Sequence, residues 1–254
     1  MKKVLVIILF MLGTVLAVQA QDNKRVWFDI SLQQNIELND WYDNKDLNYL
    51  MPRIQTPNLK VKIGWDILPN WGVFGDVSFG MVSYKKGFDK TNMLGEFDTG
   101  NYYISDMWHR DNSDDKVRGL ITLGSFYKFR YNKWDFIPYL GIGFDEACVP
   151  FASYTAKEKG SNNKYKVFYE WMGKQLYDES NIKKVALSLE LVAAYKLRPN
   201  THITFGINYR YSLYKAKFKA VVSDYYDQSF VREIPVEGNN LQTLGISVGI
   251  RFGR

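Results

Sequence analysis

The sequence is poor in the residues that most often carry catalysis, metal binding and covalent cross-links. It has one cysteine, Cys148, and two histidines, His109 and His202, among 254 residues. A single cysteine excludes an internal disulfide. No cofactor motif is present, and we predict no metal site. The stability of the folded chain must therefore come from a large core or from a closed architecture.

Long apolar runs and clustered basic charge are also scarce. After the N-terminal segment, no apolar run reaches the roughly 20 residues that a membrane-spanning helix needs. The formal net charge is +6, but no segment has the basic stripe that nucleic-acid binding requires, so we predict no nucleic-acid partner. A membrane protein of this composition would have to be a β-barrel, because only helices and closed barrels satisfy every backbone polar group in lipid.

The first twenty residues have the pattern of an export signal. Lys2 and Lys3 precede an apolar run from Val4 to Leu16, and Ala20 ends a small-residue cleavage pattern. A run of about 13 residues is too short for a helical anchor. We predict that residues 1–20 are a signal peptide, that cleavage falls before Gln21, and that residues 21–254 form one exported domain.

The rest of the chain is rich in short segments in which apolar and polar residues alternate. In the seventh of these, Phe205 and Ile207 alternate with Gly206 and Asn208. A period of two over roughly ten residues is typical of a tilted strand that crosses a membrane. The eight segments begin near Val26, Leu59, Val73, Val117, Phe136, Val185, Ile203 and Leu244.

The connections between these segments alternate in length. Tight turns are predicted at 68–70, 132–134 and 198–200, and long polar segments at 37–57, 85–116, 148–183 and 216–240. Short periplasmic turns and long outer loops are typical of bacterial outer-membrane barrels. We predict an all-β fold: an eight-stranded antiparallel up-and-down transmembrane β-barrel with long extracellular loops. Ten strands remain open if 165–169 belongs to an extra hairpin, and the spacing of Phe168, Trp171, Met172 and Leu176 predicts a short loop helix.

The polar positions of the strands mix small residues with charges of both signs. A water-facing surface seldom carries so many glycines, which favours a membrane barrel with a polar lumen over a soluble lipocalin-like barrel that binds a ligand. We interpret the lumen as a packed ion-pair network, because unpaired buried charge is costly. The alternative is a charged constriction in a narrow porin that passes small solutes. The predicted lumen residues are Asp29, Lys60, Lys62, Asp66, Asp76, Arg118, Lys128, Arg130, Glu190, Arg210 and Arg251.

The apolar positions end in aromatic residues, which favours membrane interfaces at the strand ends. Aromatic rings are enriched where a barrel meets the lipid headgroups. The residues that fit this pattern are Trp65, Trp71, Tyr127, Tyr131, Tyr195, Tyr209 and Phe252.

The segments 137–143 and 244–252 carry a resemblance to a known group. With the signal peptide and the tight turns, they resemble the small bacterial outer-membrane β-barrel superfamily, and more narrowly the group called "porin family". This resemblance implies a location in the outer membrane of a Gram-negative cell after export. It also implies the barrel-assembly machinery as a partner during biogenesis, with Phe252 as the aromatic assembly signal. Gly253 and Arg254 follow Phe252, a departure from the usual terminal aromatic.

Chemistry on such a barrel would need a histidine beside a serine or a carboxylate. His202 is predicted at the turn side, whereas His109 lies in the second long loop near Ser105 and Ser113. A rim hydrolase that acts on lipid A or peptide through His109 is therefore an alternative hypothesis. We predict instead a non-enzymatic barrel with a structural or adhesive role. Its partners are expected to be outer-membrane lipid and lipopolysaccharide, and an extracellular protein or glycan recognised by the aromatic-rich loops.

Overall fold

A computed structural model describes residues 25–40, 54–55, 57–83, 102–108, 116–147, 153–171, 174–175, 182–215 and 217–253. The predicted signal peptide 1–20, His109 and Cys148 lie outside these residues. Eight long strands dominate the described part of the chain. They are β1 (Val26–Glu37), β3 (Asn58–Asp66), β4 (Trp71–Ser83), β6 (Lys116–Tyr127), β8 (Trp134–Ala147), β12 (Ile182–Arg198), β13 (Thr201–Ser212) and β16 (Gln242–Gly253). In the described segments, no helix has both the length and the apolar character to span a membrane.

The eight strands close into a barrel. Each strand pairs antiparallel with the next, from β1 through β3, β4, β6, β8, β12 and β13 to β16. The last strand also pairs with the first, with Phe28 opposite Phe252, so that neither is an edge. Closure removes the unpaired strand edges that an open sheet would expose. The predicted eight-stranded antiparallel barrel is confirmed, and the described strands leave no place for the ten-stranded alternative.

Three tight turns lie at one end of the barrel, as the sequence predicts. The turn between β3 and β4 closes with Leu68 N–H donating to Trp71 O at 2.9 Å. Asn132 turns the chain from β7 (Phe129–Tyr131) into β8 with φ 54°, a left-handed conformation that asparagine tolerates better than most residues. We call this end the turn side and the opposite end the loop side.

The long connections are not independent loops, because three of them share a second sheet, the loop sheet. Its strands are β5 (Tyr102–Trp108), β9 (Ser153–Glu158), β10 (Lys164–Trp171), β11 (Lys174–Gln175), β14 (Lys217–Asp224) and β15 (Phe230–Glu237), while β2 (Ile54–Gln55) pairs with β4. The strand order is β15-β14-β10-β9-β5, with β11 paired to β10. The predicted loop helix is wrong where the structure describes it: Phe168 and Trp171 lie in β10, which pairs with β9 and β14, while Met172 and Leu176 lie outside the described residues.

The alternation of the sequence maps onto the two faces of the barrel wall. Outward side chains are apolar and exposed, as at Leu123 (63% exposed) and Leu140 (61%). Inward side chains are buried and largely polar, as at Lys60 (1%) and Lys62 (2%). This is inside-out relative to a water-soluble barrel, so the fold is that of a transmembrane barrel with a polar lumen.

Candidate functional site

An aromatic plug fills the turn-side end of the lumen. It consists of Trp27, Phe74, Phe126 and Tyr139, which are all buried. Trp27 meets Phe126 edge-on with ring centroids 5.4 Å apart, and Phe74 meets Tyr139 at 5.0 Å. The lumen of an eight-stranded barrel is only just wide enough for side chains to fill. Four packed rings therefore close its cross-section at this level.

Charged side chains surround the plug and tie it to the wall. The guanidinium of Arg251 lies 4.2 Å from the Trp27 ring centroid and donates to Asp29 at 3.2 Å and to the Tyr139 hydroxyl at 2.8 Å. Lys128 Nζ donates to both carboxylate oxygens of Asp66 at 2.7 Å. The indole N–H of Trp27 donates to the same carboxylate at 3.2 Å. The indole N–H of Trp27 and the hydroxyl of Tyr139 are thereby each hydrogen-bonded to a charged group that has its own counter-charge.

An ion-pair cluster occupies the middle of the lumen. Glu190 Oε2 accepts from Lys60 at 2.7 Å and from Lys62 at 2.6 Å. Lys60 also lies 3.8 Å from a carboxylate oxygen of Asp76, and Lys62 Nζ sits 3.8 Å from the Tyr139 ring centroid. The cluster thus joins strands β3, β4 and β12 across the barrel. Its groups are almost fully buried, so each depends on its partner to offset desolvation.

The loop-side part of the lumen has a different chemistry. Its inward positions carry mainly amides and hydroxyls, together with the charged residues Arg210, Lys184 and Glu37. Gln33 donates to Asn35 at 2.6 Å, and Asn208 donates to Ser188 at 2.8 Å. Hydrogen bonds between neutral side chains are therefore part of the packing of this region.

Most of the residues predicted for the lumen line it. They are Asp29, Lys60, Lys62, Asp66, Asp76, Lys128, Glu190, Arg210 and Arg251. The Arg118 side chain lies outside the described part, although its backbone in β6 pairs with Gly80. Arg130 departs from the prediction: it is exposed beyond the end of β6 and donates to the Pro69 carbonyl at 2.9 Å. The strand β6 ends at Tyr127, and the backbone at Lys128 is irregular. The alternation of inward and outward side chains therefore no longer predicts the direction of Arg130.

The remaining predicted positions are placed as follows. Phe252 is half-buried in β16 opposite Phe28, at the closing seam, and its role as an assembly signal stays a prediction. His202 is buried at the turn side, and its Nδ1 has no hydrogen-bond partner. No group of three or more His, Cys, Asp or Glu side chains in the described segments could hold a metal ion.

Sequence reasoning missed the aromatic plug. The signal for it was present, because Trp27 and Phe74 interrupt the polar positions of strands β1 and β4. Phe126 and Tyr139 do the same in β6 and β8. An aromatic residue at a lumen position has no lipid to face, so it must pack against other lumen side chains. Four aromatic residues at otherwise polar lumen positions, each on a different strand, therefore indicate one cluster inside the barrel.

The outside of the barrel is an apolar belt bordered by aromatic rings. On the turn side the border contains Trp134 and Tyr195, with centroids 4.9 Å apart, and Tyr127 and Phe129 at 4.8 Å. The exposed apolar side chains of the belt include Leu32, Ile63, Ile121, Leu123, Leu140, Ile142, Leu189, Leu191, Phe205, Ile207, Ile246 and Val248. An apolar surface that encircles a molecule is far larger than water-soluble monomers expose. It matches the lipid-facing band of membrane barrels.

The loop sheet carries exposed aromatic residues and a cluster of ion pairs. Tyr226 and Phe230 are 68% and 64% exposed at the tip of the β14–β15 hairpin. Lys219 donates to Glu233 and lies 3.4 Å from Glu170. The hydrogen bond to Glu233 raises the pKa of Lys219 above its ordinary value. Ion pairs therefore supplement the backbone pairing of β10, β14 and β15, and the aromatic rings at the hairpin tip are exposed.

Similarity to known proteins is limited to solved structures of low sequence identity. No protein-family model matches the sequence, and no curated protein is significantly similar to it. Solved structures similar to the chain include a major outer membrane protein of Thermus thermophilus (14% identity, 89% of this chain and 98% of that chain, TM-score 0.42). They also include OprG of Pseudomonas aeruginosa (11%, 91% and 97%, 0.42) and the outer membrane protease OmpT of Escherichia coli (9%, 90% and 96%, 0.38). All three TM-scores are below 0.5, and the strand register of this chain itself establishes the barrel.

Proposed function

We propose that this chain is a non-enzymatic outer-membrane barrel that anchors a recognition surface, the loop sheet, at the cell exterior. The observation that carries the proposal is the joining of three long connections into one sheet. A shared sheet fixes the positions of side chains that separate loops would leave free to move. Exposed tyrosine and phenylalanine at the β14–β15 tip supply contact area at low cost in side-chain entropy. A surface protein or a glycan is the class of partner that this chemistry fits.

The lipid-facing belt supports the outer membrane as the location. Strands rather than helices cross the bilayer here, and such barrels belong to outer membranes. The turns then face the periplasm and the loop sheet faces the exterior. Export through the signal peptide 1–20 and contact with lipopolysaccharide are part of the same proposal.

The aromatic plug argues against the narrow-porin alternative. Trp27 and Tyr139 are almost completely buried in the lumen, and the cations beside them are paired. A conducting pore would need a continuous aqueous path past these rings. The rim-hydrolase alternative depends on His109, outside the described segments, and loss of lipid A or peptide turnover in His109→Ala would favour it.

The proposal is tested by replacing the tip of the β14–β15 hairpin while leaving the barrel strands unchanged. Residues 225–230 would be replaced by a short Asn-Gly turn, and the triple change Tyr225→Ser, Tyr226→Ser, Phe230→Ser serves as the milder variant. Cells that display each protein would be scored for binding to immobilised extracellular proteins and glycans. Heat-dependent migration on denaturing gels checks that every variant forms the barrel.

We expect both variants to fold and to lose most of the binding. A matched control is Arg130→Gln, an exposed change at the turn side. Equal binding by wild type, variants and cells without the protein would contradict the proposal. Ion conductance in planar bilayers by the wild type would favour the porin instead.

A further inference from the structure

Three exposed basic residues lie together at the turn side, where β8 meets β12. Lys133 is in the turn that leads into β8, and Lys196 and Arg198 lie at the end of β12. The backbone N–H of Lys196 donates to the carbonyl of Lys133 at 2.8 Å, so these two residues are neighbours across the strand pair. We call the three residues the basic cluster. Arg130 is not part of it, because its guanidinium donates to the Pro69 carbonyl in the β3–β4 turn.

An irregularity at the end of β12 places Arg198 on the outer face of the wall. Up to Lys196 the even-numbered residues of this strand are inward, and Lys196 lies opposite the buried His202. The register then shifts, and Arg198 lies opposite Thr201, an outward position on the same face as Ile203. A bulge of this kind re-aims the side chain that follows it. Arg198 therefore lies on the lipid-facing side of the barrel.

The basic cluster directly borders an aromatic pair of the apolar belt. Trp134 and Tyr195 are opposite each other in the register, with ring centroids 4.9 Å apart, and each is adjacent in sequence to a lysine of the cluster. Leu197, 53% exposed, continues the apolar surface up to the turn. The outer surface thus changes from aliphatic to aromatic to basic within a few residues of both strands. A phospholipid presents the complementary order, from acyl chain through the interface to a charged headgroup.

None of the three cations forms an ion pair with a described carboxylate. The described carboxylates at the turn side are those of Asp29, Asp66 and Asp135. Asp29 and Asp66 are each paired with a lumen cation. Asp135 is half-buried at an inward position of β8, on the opposite face of the wall from the belt. Arg254, which follows the residue bonded to Asn200, lies outside the described residues. The described part of this surface therefore carries a net positive charge toward the lipid.

We propose that the basic cluster, with Trp134 and Tyr195, is a binding site for the headgroup of an anionic phospholipid in the leaflet at the turn side. Each basic residue near a negative lipid surface contributes roughly fivefold to binding, and a guanidinium matches the oxygens of a phosphate. The acyl chains lie along the apolar belt on β8 and β12. A lipid fits better than a soluble partner because the cluster continues the lipid-facing surface without a break and Arg198 lies on that face. The site is independent of the proposed role of the loop sheet.

The experiment uses the full mature chain refolded in non-ionic detergent. Mixed micelles contain equal amounts of phosphatidylglycerol and phosphatidylcholine with the same acyl chains, and native mass spectrometry counts the lipids that stay bound. The test variant is Lys133→Gln with Arg198→Gln. The matched control is Lys157→Gln with Lys164→Gln, which removes the same charge from opposite positions of the loop sheet. Heat-dependent gel migration checks that each variant forms the barrel, and a second arm measures sedimentation with insoluble peptidoglycan.

We expect the wild type and the loop-sheet control to retain phosphatidylglycerol at least about fivefold better than phosphatidylcholine, and the test variant to lose most of this preference. Arg198→Gln alone should lose a smaller part, which keeps the test decisive if the double variant does not refold. Equal retention of the two lipids by the wild type, or the same preference in the wild type and the test variant, would overturn the proposal. Sedimentation of the wild type but not of the test variant with peptidoglycan, without a lipid preference, would assign the cluster to the cell wall instead.

Discussion

The indole ring of Trp27 lies against the backbone of Gly64, its direct partner across the β1–β3 pair. A Cβ atom at position 64 would lie 2.0 Å from Cζ2 of the indole. Only glycine leaves room for the ring at this point of the wall. The packing of the plug at the turn side therefore requires a glycine at position 64 of β3, the strand paired with Trp27.

Substitution of this glycine should expel the indole. We expect Gly64→Val to lower the free energy of unfolding by about 1–3 kcal/mol, the usual cost of overpacking a filled core. Gly119→Val is the matched control, because a Cβ there meets nothing closer than 4.0 Å. Denaturant unfolding in detergent micelles measures both, and equal losses in the two variants would refute the steric argument.

Removal of the plug should open the lumen. We expect the wild type to be silent in planar bilayers and the double variant Trp27→Ala, Phe126→Ala to conduct, because their rings are 5.4 Å apart and fill the same cross-section. The control Trp65→Ala removes an indole from the outward, exposed face. Conductance of the wild type equal to that of the double variant would show that the plug does not close the barrel.

Glu190 should matter more than any exposed carboxylate. Glu190→Gln leaves Lys60 and Lys62 buried without the negative charge that they share, and we expect a loss of about 3–5 kcal/mol in the free energy of unfolding. Glu237→Gln removes exposed pairs with Lys215 and Lys217 and should cost less than about 1 kcal/mol. Urea titrations of both variants provide the measurement. Similar losses would mean that the lumen cluster is not a structural network.

Lys128 and Arg130 are close in sequence but lie in different environments: Lys128 is buried in the lumen and Arg130 is exposed at the turn side. Lys128→Met removes the partner of Asp66 and the cation beside the plug, so we expect a loss of about 3–5 kcal/mol. Arg130→Gln removes only an exposed hydrogen bond to a carbonyl and should change stability by less than about 0.5 kcal/mol. The same unfolding assay compares them. A larger loss for Arg130→Gln than for Lys128→Met would contradict the greater structural weight of the buried pair.

The ion pairs of the loop sheet should respond to alkaline pH. The hydrogen bond to Glu233 raises the pKa of Lys219 above 10.5, so its contribution is complete below that pH and is lost as the pH rises through the raised value. We expect hydrogen-exchange protection of β14 and β15 to be constant between about pH 7 and 9 and to fall as the pH rises through the raised pKa of Lys219. Lys219→Gln should reduce that protection, whereas Lys217→Gln, a more exposed lysine, should reduce it less. Equal protection in both variants would contradict this role of Lys219.

The barrel could be predicted because its signal is local. Alternation in segments such as Ile203 to Leu213 follows from the period of a strand with lipid on one face and the lumen on the other. The turn at Pro199 and Asn200 follows from residue chemistry alone. The loop helix expected around Phe168 was wrong because helical spacing within a few residues cannot compete with strand partners supplied by distant connections.

The amino-acid sequence by itself determined the faces of the barrel strands, the turn side and most of the lumen residues, because each depends on neighbours along the chain, and it favoured eight strands while leaving ten open. Only the tertiary structure decided how lumen side chains are paired. Arg251 with Asp29, and Lys62 with Glu190, join residues far apart in the chain that closure of the barrel brings within hydrogen-bond distance. The aromatic plug and the shared loop sheet arise in the same way. Strand register sets which side chains meet across the barrel, and no local pattern encodes that register.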